Sequence, residues 1–463
     1  MTDPRPASTL DTSALGDGRT IAAIATAPGR GALAIVRLSG PDVPAIAERL
    51  LRPVPQVVRQ ATRAHVVDPS DGSLLDDVLV TQFAAPASFT GEDLLEITTH
   101  GGHRAPASVL AAAIRAGARQ AEPGEFTRRA VLNGKLDLLQ AEAIGDLVDA
   151  RSSAAQRLAL HQLDGGLSER VLMLRGLVLN LEALLAYDID FPEEDDGPVP
   201  RARITLAARA ALDEVRKLLA TADLGAMVRD GALVVLAGAP NVGKSSLFNA
   251  LLGEARAIVT EIPGTTRDAI EAVFDRPRWP LRLVDTAGLR DTTDTLERLG
   301  IETSARYLAR ATLVLACGES ERRVKEVIRQ VRSHTDASVL GVLTKADLVA
   351  ERPQIDSTVA VSARTGEGLG ALLDAIDERL ATEHGVAPSD DAPSLTRARH
   401  RAAAAMAVRE LEAFEEALAA DALPMSIAAI HVRHAAGALG ELIGVVHTDD
   451  ILDVVFRQFC VGK

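Results

Sequence analysis

Five short runs in this chain combine residue types that can hold a polyphosphate and read a base. Gly238-Ala239-Pro240-Asn241-Val242-Gly243-Lys244-Ser245 follows the apolar run Leu233-Val234-Val235-Leu236-Ala237 and precedes helical residues 247–252. Glycines let backbone N–H groups wrap phosphate oxygens, a lysine there reaches the β- and γ-oxygens, and the serine hydroxyl ligates Mg2+. Alone, the run also fits a glycine-rich turn. Asp285-Thr286-Ala287-Gly288 ends the apolar run 281–284, where an acidic side chain can approach the Mg2+ shell and the Gly288 N–H the γ-phosphate. Gly264-Thr265-Thr266-Arg267-Asp268 lies between the two, in a stretch of little periodicity, as expected of a loop whose Thr266 hydroxyl closes onto Mg2+.

Thr344-Lys345-Ala346-Asp347 and Ser362-Ala363-Arg364 each follow a further apolar run. A carboxylate at Asp347 can accept from both the N1–H and the 2-amino group of guanine, donors that adenine does not offer together. Lys345 would lie along the base plane. Each run alone is an ordinary turn, but five of them in this order, each at a strand end, specify GTP. The expected nucleotide contacts are Asn241, Val242, Gly243, Lys244, Ser245 and Ser246, then Thr266, then Asp285, Thr286, Ala287 and Gly288, then Lys345, Asp347, Ser362, Ala363 and Arg364. Mg2+ would sit on Ser245 and Thr266, with Lys244 the catalytic cation.

The set departs from the common GTPase form in places. Thr344 stands where that form has Asn, which leaves the guanine-reading Asp347 intact. Leu289 follows Gly288 where Ras-like enzymes carry a water-orienting Gln, so the attacking water must be positioned in another way. Asp291, Asp294 and Glu297 are the carboxylates at hand, and a Glu is suited to orient or polarise a water. Beside Arg298, Glu297 also fits a solvated helix residue. Residues 313–318 lack the Asp usual after their strand.

The elements that must position these residues follow from length and periodicity. At ~100–200 residues per domain, 463 residues suggest three domains. Residues 1–18 form a polar tail, expected to be mobile. Two strands joined by a turn at Pro28-Gly29-Arg30-Gly31, short apolar runs at 65–67 and 78–83 and a helix over 105–116 predict a compact α+β domain over 19–131. From 132 the apolar residues recur at three- and four-residue steps, as in Leu136, Leu139, Ala143 and Leu147, then Leu177, Leu181 and Leu184, and after an acidic break at 188–198 in Leu212, Val215 and Leu219. These predict helices. Between 229 and 385 short β-rich runs alternate with helical stretches, which predicts a mostly parallel sheet. Helical texture returns in 386–463, so the sequence describes an α/β domain inserted into a discontinuous helical bundle over 132–228 and 386–463.

Composition sets limits. Sixty-four acidic against 50 basic residues give a net charge of −14, which repels phosphate backbones on average, so nucleic-acid contact needs a local patch or a partner. Aromatics at 3% are too sparse for a base-stacking platform. Two cysteines cannot build a disulfide framework and fit a reducing, cytoplasmic setting, and neither a signal peptide nor a membrane-spanning run is visible. His100 and His103 lack companions for a metal and read as structural.

From Thr20 to Lys463 the chain resembles the MnmE (TrmE) family of tRNA-modification GTPases. The resemblance is carried by residues 20–40, Ser-Phe-Thr-Gly-Glu-Asp-Leu-Leu-Glu-Ile-Thr-Thr-His-Gly-Gly at 88–102, residues 122–144, the GTPase runs with 257–268 and 285–301, and Phe459-Cys460-Val461-Gly462-Lys463. It implies a folate-binding N-terminal domain, with Arg37, Glu96, Lys135 and Lys463 at the positions matching the site for a tetrahydrofolate derivative, in its 5-formyl or methylene form. From the sequence alone each of these is a surface charge. It implies K+ in place of an arginine finger, at Asn241, Thr260, Ile262 and Thr265, Thr260 and Thr265 also joining the nucleotide contacts, and a homodimer formed across the nucleotide. Glu297 is the position matching the family's water-orienting Glu, and Cys460 its C-terminal Cys, a candidate catalytic residue against the plainer reading of a buried apolar thiol. Function follows from the same resemblance: with a flavin-dependent MnmG (GidA) partner, which carries the FAD, such a chain installs an aminomethyl-type or carboxymethylaminomethyl group on C5 of the wobble uridine of certain tRNAs.

Two other readings remain open at this point. One is a regulatory GTPase of ribosome assembly, like Era and Der, although those usually carry a basic RNA-binding module where this chain has helices. The other is a folate-dependent one-carbon transferase regulated by GTP.

Overall fold

The structure is a computed structural model that describes residues 18–190, 199–254, 270–276, 280–285, 307–348, 358–384, 392–420, 424–445, 455–456, 459–460 and 462. The chain forms two compact units, Met1–Gly145 with Ile443–Lys463, and Asp146–Leu442.

The first unit is a seven-stranded sheet covered by helices. In chain order it contains β1 (Ile21–Ile24), β2 (Leu33–Ser39), α1 (Val43–Leu50), β3 (Leu51–Arg52), β4 (Thr62–Val67), β5 (Leu74–Phe83), β6 (Leu94–His100), α2 (Arg104–Arg115), β7 (Arg119–Gln120), α3 (Glu125–Leu132) and the start of α4 (Leu138–Asp149). The sheet order is β3-β4-β5-β6-β2-β1-β7, antiparallel except where β7 lies parallel to β1. Alternation in β2 sends Ala34, Val36 and Leu38 to one face, where Val43, Ile46, Ala47 and Leu50 of α1 and Val109 and Ala112 of α2 form one core with Val36 and Leu38. Each fully buried Val, Ile or Leu there contributes about 1.5–3 kcal/mol. Strand β6 is absent from the sequence reading because its Leu94, Leu95 and Ile97 are interrupted by Glu96, whose partner is on another strand.

The tail returns to this unit. Val455 and Phe456 pack with Val131, Leu132, Leu138 and Ala141, and the Gly124 N–H donates to the Cys460 carbonyl at 3.3 Å. Gly462 has φ +98, and a Cβ there would stand 2.4 Å from the Ile24 carbonyl oxygen, so only glycine permits this approach.

The second unit joins helices to an α/β domain. Its helices are α5 (Ser153–Leu163), α6 (Gly166–Asp190), α7 (Arg201–Leu219) and α8 (Ala222–Asp230), then, after the sheet, α12 (Ala398–Ala420) and α13 (Met425–Ile443). The buried seam of α6 is Leu174, Val178, Leu181 and Leu185, one position away from the Leu177 and Leu184 that the periodicity suggested. Leucine occupies both faces of α6, so spacing alone does not choose between them. Leu212 and Val215 of α7 are buried as expected, followed by Leu218 rather than Leu219.

The inserted domain runs β8 (Ala232–Ala237), α9 (Lys244–Glu254), β9 (Ile270–Phe274), β10 (Leu281–Asp285), β11 (Leu313–Gly318), α10 (Glu321–Arg332), β12 (Ser338–Leu343), β13 (Thr358–Ala360) and α11 (Leu369–His384). The sheet order is β13-β12-β11-β8-β10-β9, parallel throughout except for β9 against β10. The mostly parallel sheet inserted among helices is thus the architecture expected, with β9 the added antiparallel edge. Leu247, Phe248 and Leu251 of α9 and Leu372, Leu373 and Ile376 of α11 close one face of the sheet, together with Leu158 of α5 and Met227 and Val228 of α8. Asp146, 9% exposed, accepts from Arg229 Nε at 2.8 Å and from Arg397 Nη2 at 2.7 Å. One carboxylate thereby fixes both chain crossings into the inserted domain.

Candidate nucleotide-binding site

Parallel strands end at a common edge, and loops leaving that edge converge; the expected chemistry lies there. β8 stops at Ala237. Gly238 follows at φ +151, where a Cβ would stand 2.5 Å from the Cys317 carbonyl oxygen of β11, so the loop can leave the sheet only through a glycine. Asn241 at φ +60 and Gly243 at φ +97 turn the chain back into α9. Lys244, 6% exposed, opens that helix, and its Nζ donates to the Gly238 and Ala239 carbonyls, both at 2.9 Å. Ser245 and Ser246 lie exposed in the first turn, where unpaired N–H groups and the helix dipole favour an anion. Val242 is buried beneath the loop.

Asp285 ends β10 in register with Leu236 of β8 and is 1% exposed. Burial pushes the Cys317 thiol up to about 12; Lys244 opposes this and Asp285 adds to it, so both charges lie close behind the loop. A carboxylate at that strand end suits a Mg2+ shell.

A second cluster lies at the ends of β12 and β13. Thr344, 3% exposed, points its hydroxyl at the Val242 carbonyl, 2.7 Å away, with the Gly318 carbonyl at 3.2 Å. Lys345, at φ +56, donates through Nζ to the Asn241 carbonyl at 3.1 Å and pairs with Glu319. Asp347 accepts from Ser362 Oγ at 2.7 Å on one oxygen, and from Arg364 Nε at 3.0 Å and Nη2 at 2.9 Å on the other. The Ser362 hydrogen bond holds the Asp347 carboxyl below the usual carboxylate range, and Arg364 adds to the effect. Between this carboxylate and the loop lies a cavity of about 360 Å3 lined by Gly243, Leu247, Thr344, Asp347, Val361 and Ala363 among others. Phosphate-type donors therefore stand at one end and a base-type acceptor at the other.

Glu319 was not singled out from the sequence; its one signal is its place directly after β11, where an acidic residue was missing from the expected pattern. Thr260, Ile262, Thr265, Thr266, Thr286, Ala287, Gly288, Glu297 and Lys463 lie outside the described residues.

The positions matching a folate site occupy the first unit. Arg37 and Glu96 are register partners on β2 and β6, and Arg37 Nε and Nη2 both donate to Glu96 Oε1, at 3.0 and 2.7 Å. The guanidinium lies 5.6 Å from the Phe89 ring centroid and 5.7 Å from that of Phe126. Lys135 Nζ donates to the Pro86 carbonyl at 3.2 Å. Both cations thus touch the segment between β5 and β6. Cys460 is exposed, with its carbonyl on Gly124. Close by, and unremarked in the sequence, Arg129 at 2% exposure donates to Glu92 Oε2 at 3.0 Å, to Glu125 Oε1 at 3.0 Å and to the Arg19 carbonyl at 2.9 Å. Burial works against the charge on Glu125, yet Arg119, the Glu122 N–H and Arg129 together hold its carboxyl below the ordinary value. His100 bonds Asp76 at 2.7 Å, and no metal-type cluster occurs among the described residues.

Comparison with known proteins accounts for both units. The MnmE helical domain matches residues 138–460 and the GTP-binding protein TrmE N-terminus matches residues 20–135. The tRNA modification GTPase MnmE of Geobacter metallireducens is 42% identical over 455 residues, covering 96% of this chain and 99% of its own. Those of Chloroflexus aurantiacus, at 44% over 456 residues, and Moorella thermoacetica, at 42% over 468, cover the same shares of both chains. Among solved structures, the G domain of the T. maritima FeoB iron transporter aligns at 28% identity, covering 32% of this chain and 97% of its own, with a TM-score of 0.26, which adds nothing to the assignment. No helix among the described residues is long and apolar enough to cross a membrane. On the two domain matches and the near full-length identity, this chain belongs to the MnmE family of tRNA modification GTPases, and it is a GTPase.

Proposed function

We propose that GTP lies along the strand-end edge, its phosphates on the loop from Gly238 to Ser246 and its guanine on Asp347, and that its hydrolysis drives modification of C5 of the wobble uridine in tRNA. The observation that carries the reading is the Asp347 carboxylate, oriented by Ser362 and Arg364 at one end of a cavity whose other end is the Lys244 loop. Guanine offers N1–H and 2-amino donors to that carboxylate, and the Ala363 N–H serves its O6. Lys244 exchanges two backbone carbonyls for β- and γ-phosphate oxygens, where its charge stabilises the transferring group. Mg2+ on Ser245 and Thr266 neutralises phosphate charge, and K+ on Asn241, Thr260, Ile262 and Thr265 supplies the further positive charge that an arginine finger gives elsewhere. Glu297 orients the attacking water.

A tetrahydrofolate derivative suits the chemistry of the Arg37, Glu96, Lys135 and Lys463 set: carboxylate for the pterin edge, cations for carbonyl and glutamate, and two aromatic rings beside Arg37. The reduced folate is the one-carbon donor. In this reading the chain works in the cytoplasm as a homodimer with an MnmG-type flavoprotein, which holds the FAD and most of the tRNA contacts, as the charge of −14 favours. Domain limits of 19–131, 132–228 with 386–463, and 229–385 accompany it.

Asp347→Asn tests the base assignment. An amide offers a donor to the C2 carbonyl of xanthine and loses an acceptor for guanine. The variant should bind GTP about a hundredfold more weakly and gain xanthosine triphosphate. Unchanged GTP affinity would move the base elsewhere.

A further inference from the structure

We infer that this protein reads guanine at its N1, N2 and O6 edge alone, and that Thr344 is the residue that leaves N7 unread. The inference rests on the base lying in the cavity beside Asp347 and goes beyond that assignment. Guanine carries acceptors at N7 and O6, so a pocket that reads the whole base needs a donor for each. Of the side chains that line the cavity, Leu247, Leu348 and Val361 have none. Arg364 sits on Asp347, and Lys345 sits on the Asn241 carbonyl and Glu319. Ser246 belongs to the phosphate end, in the first turn of α9. Among the described residues, Thr344 is left as the buried polar side chain of the wall.

Thr344 has a single hydroxyl hydrogen. Two backbone carbonyls already compete for it, Val242 at 2.7 Å and Gly318 at 3.2 Å, so none remains for a ligand nitrogen. An Asn, the residue of the common motif, has two N–H hydrogens and can tie down the phosphate loop while donating to the base. Thr keeps the tie to Val242 and lacks the second donor. N7 then stays on water, and replacing it by C–H removes no bond to the protein.

Calorimetry on the full chain with Mg2+ and K+ tests this, using diphosphates so that no turnover intervenes. GDP and 7-deaza-GDP should bind within twofold of each other, while IDP, which lacks the 2-amino group, should bind at least tenfold more weakly. In Thr344→Asn, GDP should become preferred over 7-deaza-GDP by about three- to tenfold, the range of one neutral hydrogen bond. Thr344→Ser keeps the hydroxyl and should keep the indifference. A fivefold or larger loss for 7-deaza-GDP in the unaltered protein, with IDP still weak, overturns the N7 inference and spares the base assignment. Equal binding of IDP and GDP overturns both. Should Thr344→Asn fail to fold, the comparison of the three nucleotides in the unaltered protein decides alone.

Discussion

Asp347 and Glu96 are both assigned the N–H edge of a planar heterocycle, yet they are held in opposite ways. Asp347 lies in a turn after a parallel strand, and two residues of the next such loop divide its oxygens: Ser362 takes one and Arg364 the other. Glu96 lies inside an antiparallel strand, with both Arg37 N–H groups on Oε1 and no hydrogen bond to Oε2 within the described residues. The first is aimed by loop residues into a cavity. The second is aimed by cross-strand register, since Arg37 faces Glu96 only while β2 and β6 stay aligned, and a one-residue slip would turn one of them to the other face. A loop carboxylate therefore depends on its neighbours, and a strand carboxylate on the fold of its whole domain.

The largest effect tests whether the loop end is a nucleotide site at all. Lys244→Ala removes the buried ammonium that faces the Gly238 and Ala239 carbonyls, and phosphate release from GTP should fall about a thousandfold, the scale of losing one transition-state charge donor. Turnover within tenfold of the unaltered protein would separate the Asp347 cavity from phosphate chemistry and leave the comparison without its first member.

The next effect lies in the same unit as Glu96. Glu125 and Glu92 share Arg129, at 2% exposure, and Arg119 clasps Glu125 from outside. Glu125→Gln leaves a buried guanidinium short of one charge and should cost about 3 kcal/mol in denaturant unfolding, the low end for breaking a buried pair because Glu92 remains. The Glu125 carboxyl is depressed in the folded state, so its contribution is present above the unfolded carboxylate value, near pH 4.5, and is lost as pH falls through the folded one. The variant should therefore show a weaker acid dependence of stability than the unaltered protein below that pH. An identical acid limb would mean that folding does not lower the Glu125 carboxyl.

Glu96→Gln sharpens the contrast directly. It keeps the shape and removes the charge, so 5-formyltetrahydrofolate should bind about tenfold more weakly by calorimetry, while far-ultraviolet circular dichroism stays unchanged. Undiminished binding would reduce Arg37 and Glu96 to a structural pair between strands.

What the sequence made legible follows the same division. Residues that act within one strand and its following turn, such as Lys244 after β8, Asp285 at the end of β10 and Asp347 after β12, stand in short local patterns, so their place at strand ends was predictable. Glu125 and Arg129 stand at the i,i+4 spacing of a helical ion pair, but Glu92 joins them from the segment after β5, and no spacing in the chain announces that meeting. The buried side of α6 differs by one position from the periodicity because Leu177 beside Val178 and Leu184 beside Leu185 are equally apolar, and the packing of neighbouring helices decides which faces inward. The ion pair of Glu319 with Lys345 joins two strand ends 26 residues apart and was likewise invisible.

The smallest expected effect concerns Arg364, whose side chain is 76% exposed while the Asp347 carboxylate beneath it is 12% exposed. The Ser362 hydroxyl is the largest hold on the Asp347 carboxyl, a backbone N–H is next and Arg364 follows, so removing the guanidinium should loosen the carboxylate without discharging it at neutral pH. Exposed pairs contribute little and are screened by salt. Arg364→Gln should therefore weaken GTP binding by about two- to fivefold at low ionic strength, and the difference should shrink towards none in 0.5 M salt, a concentration at which the screening length falls to about 4 Å. A salt-independent loss of tenfold or more would show that Arg364 touches the nucleotide itself, and the loop carboxylate would then share the base with a second charged group.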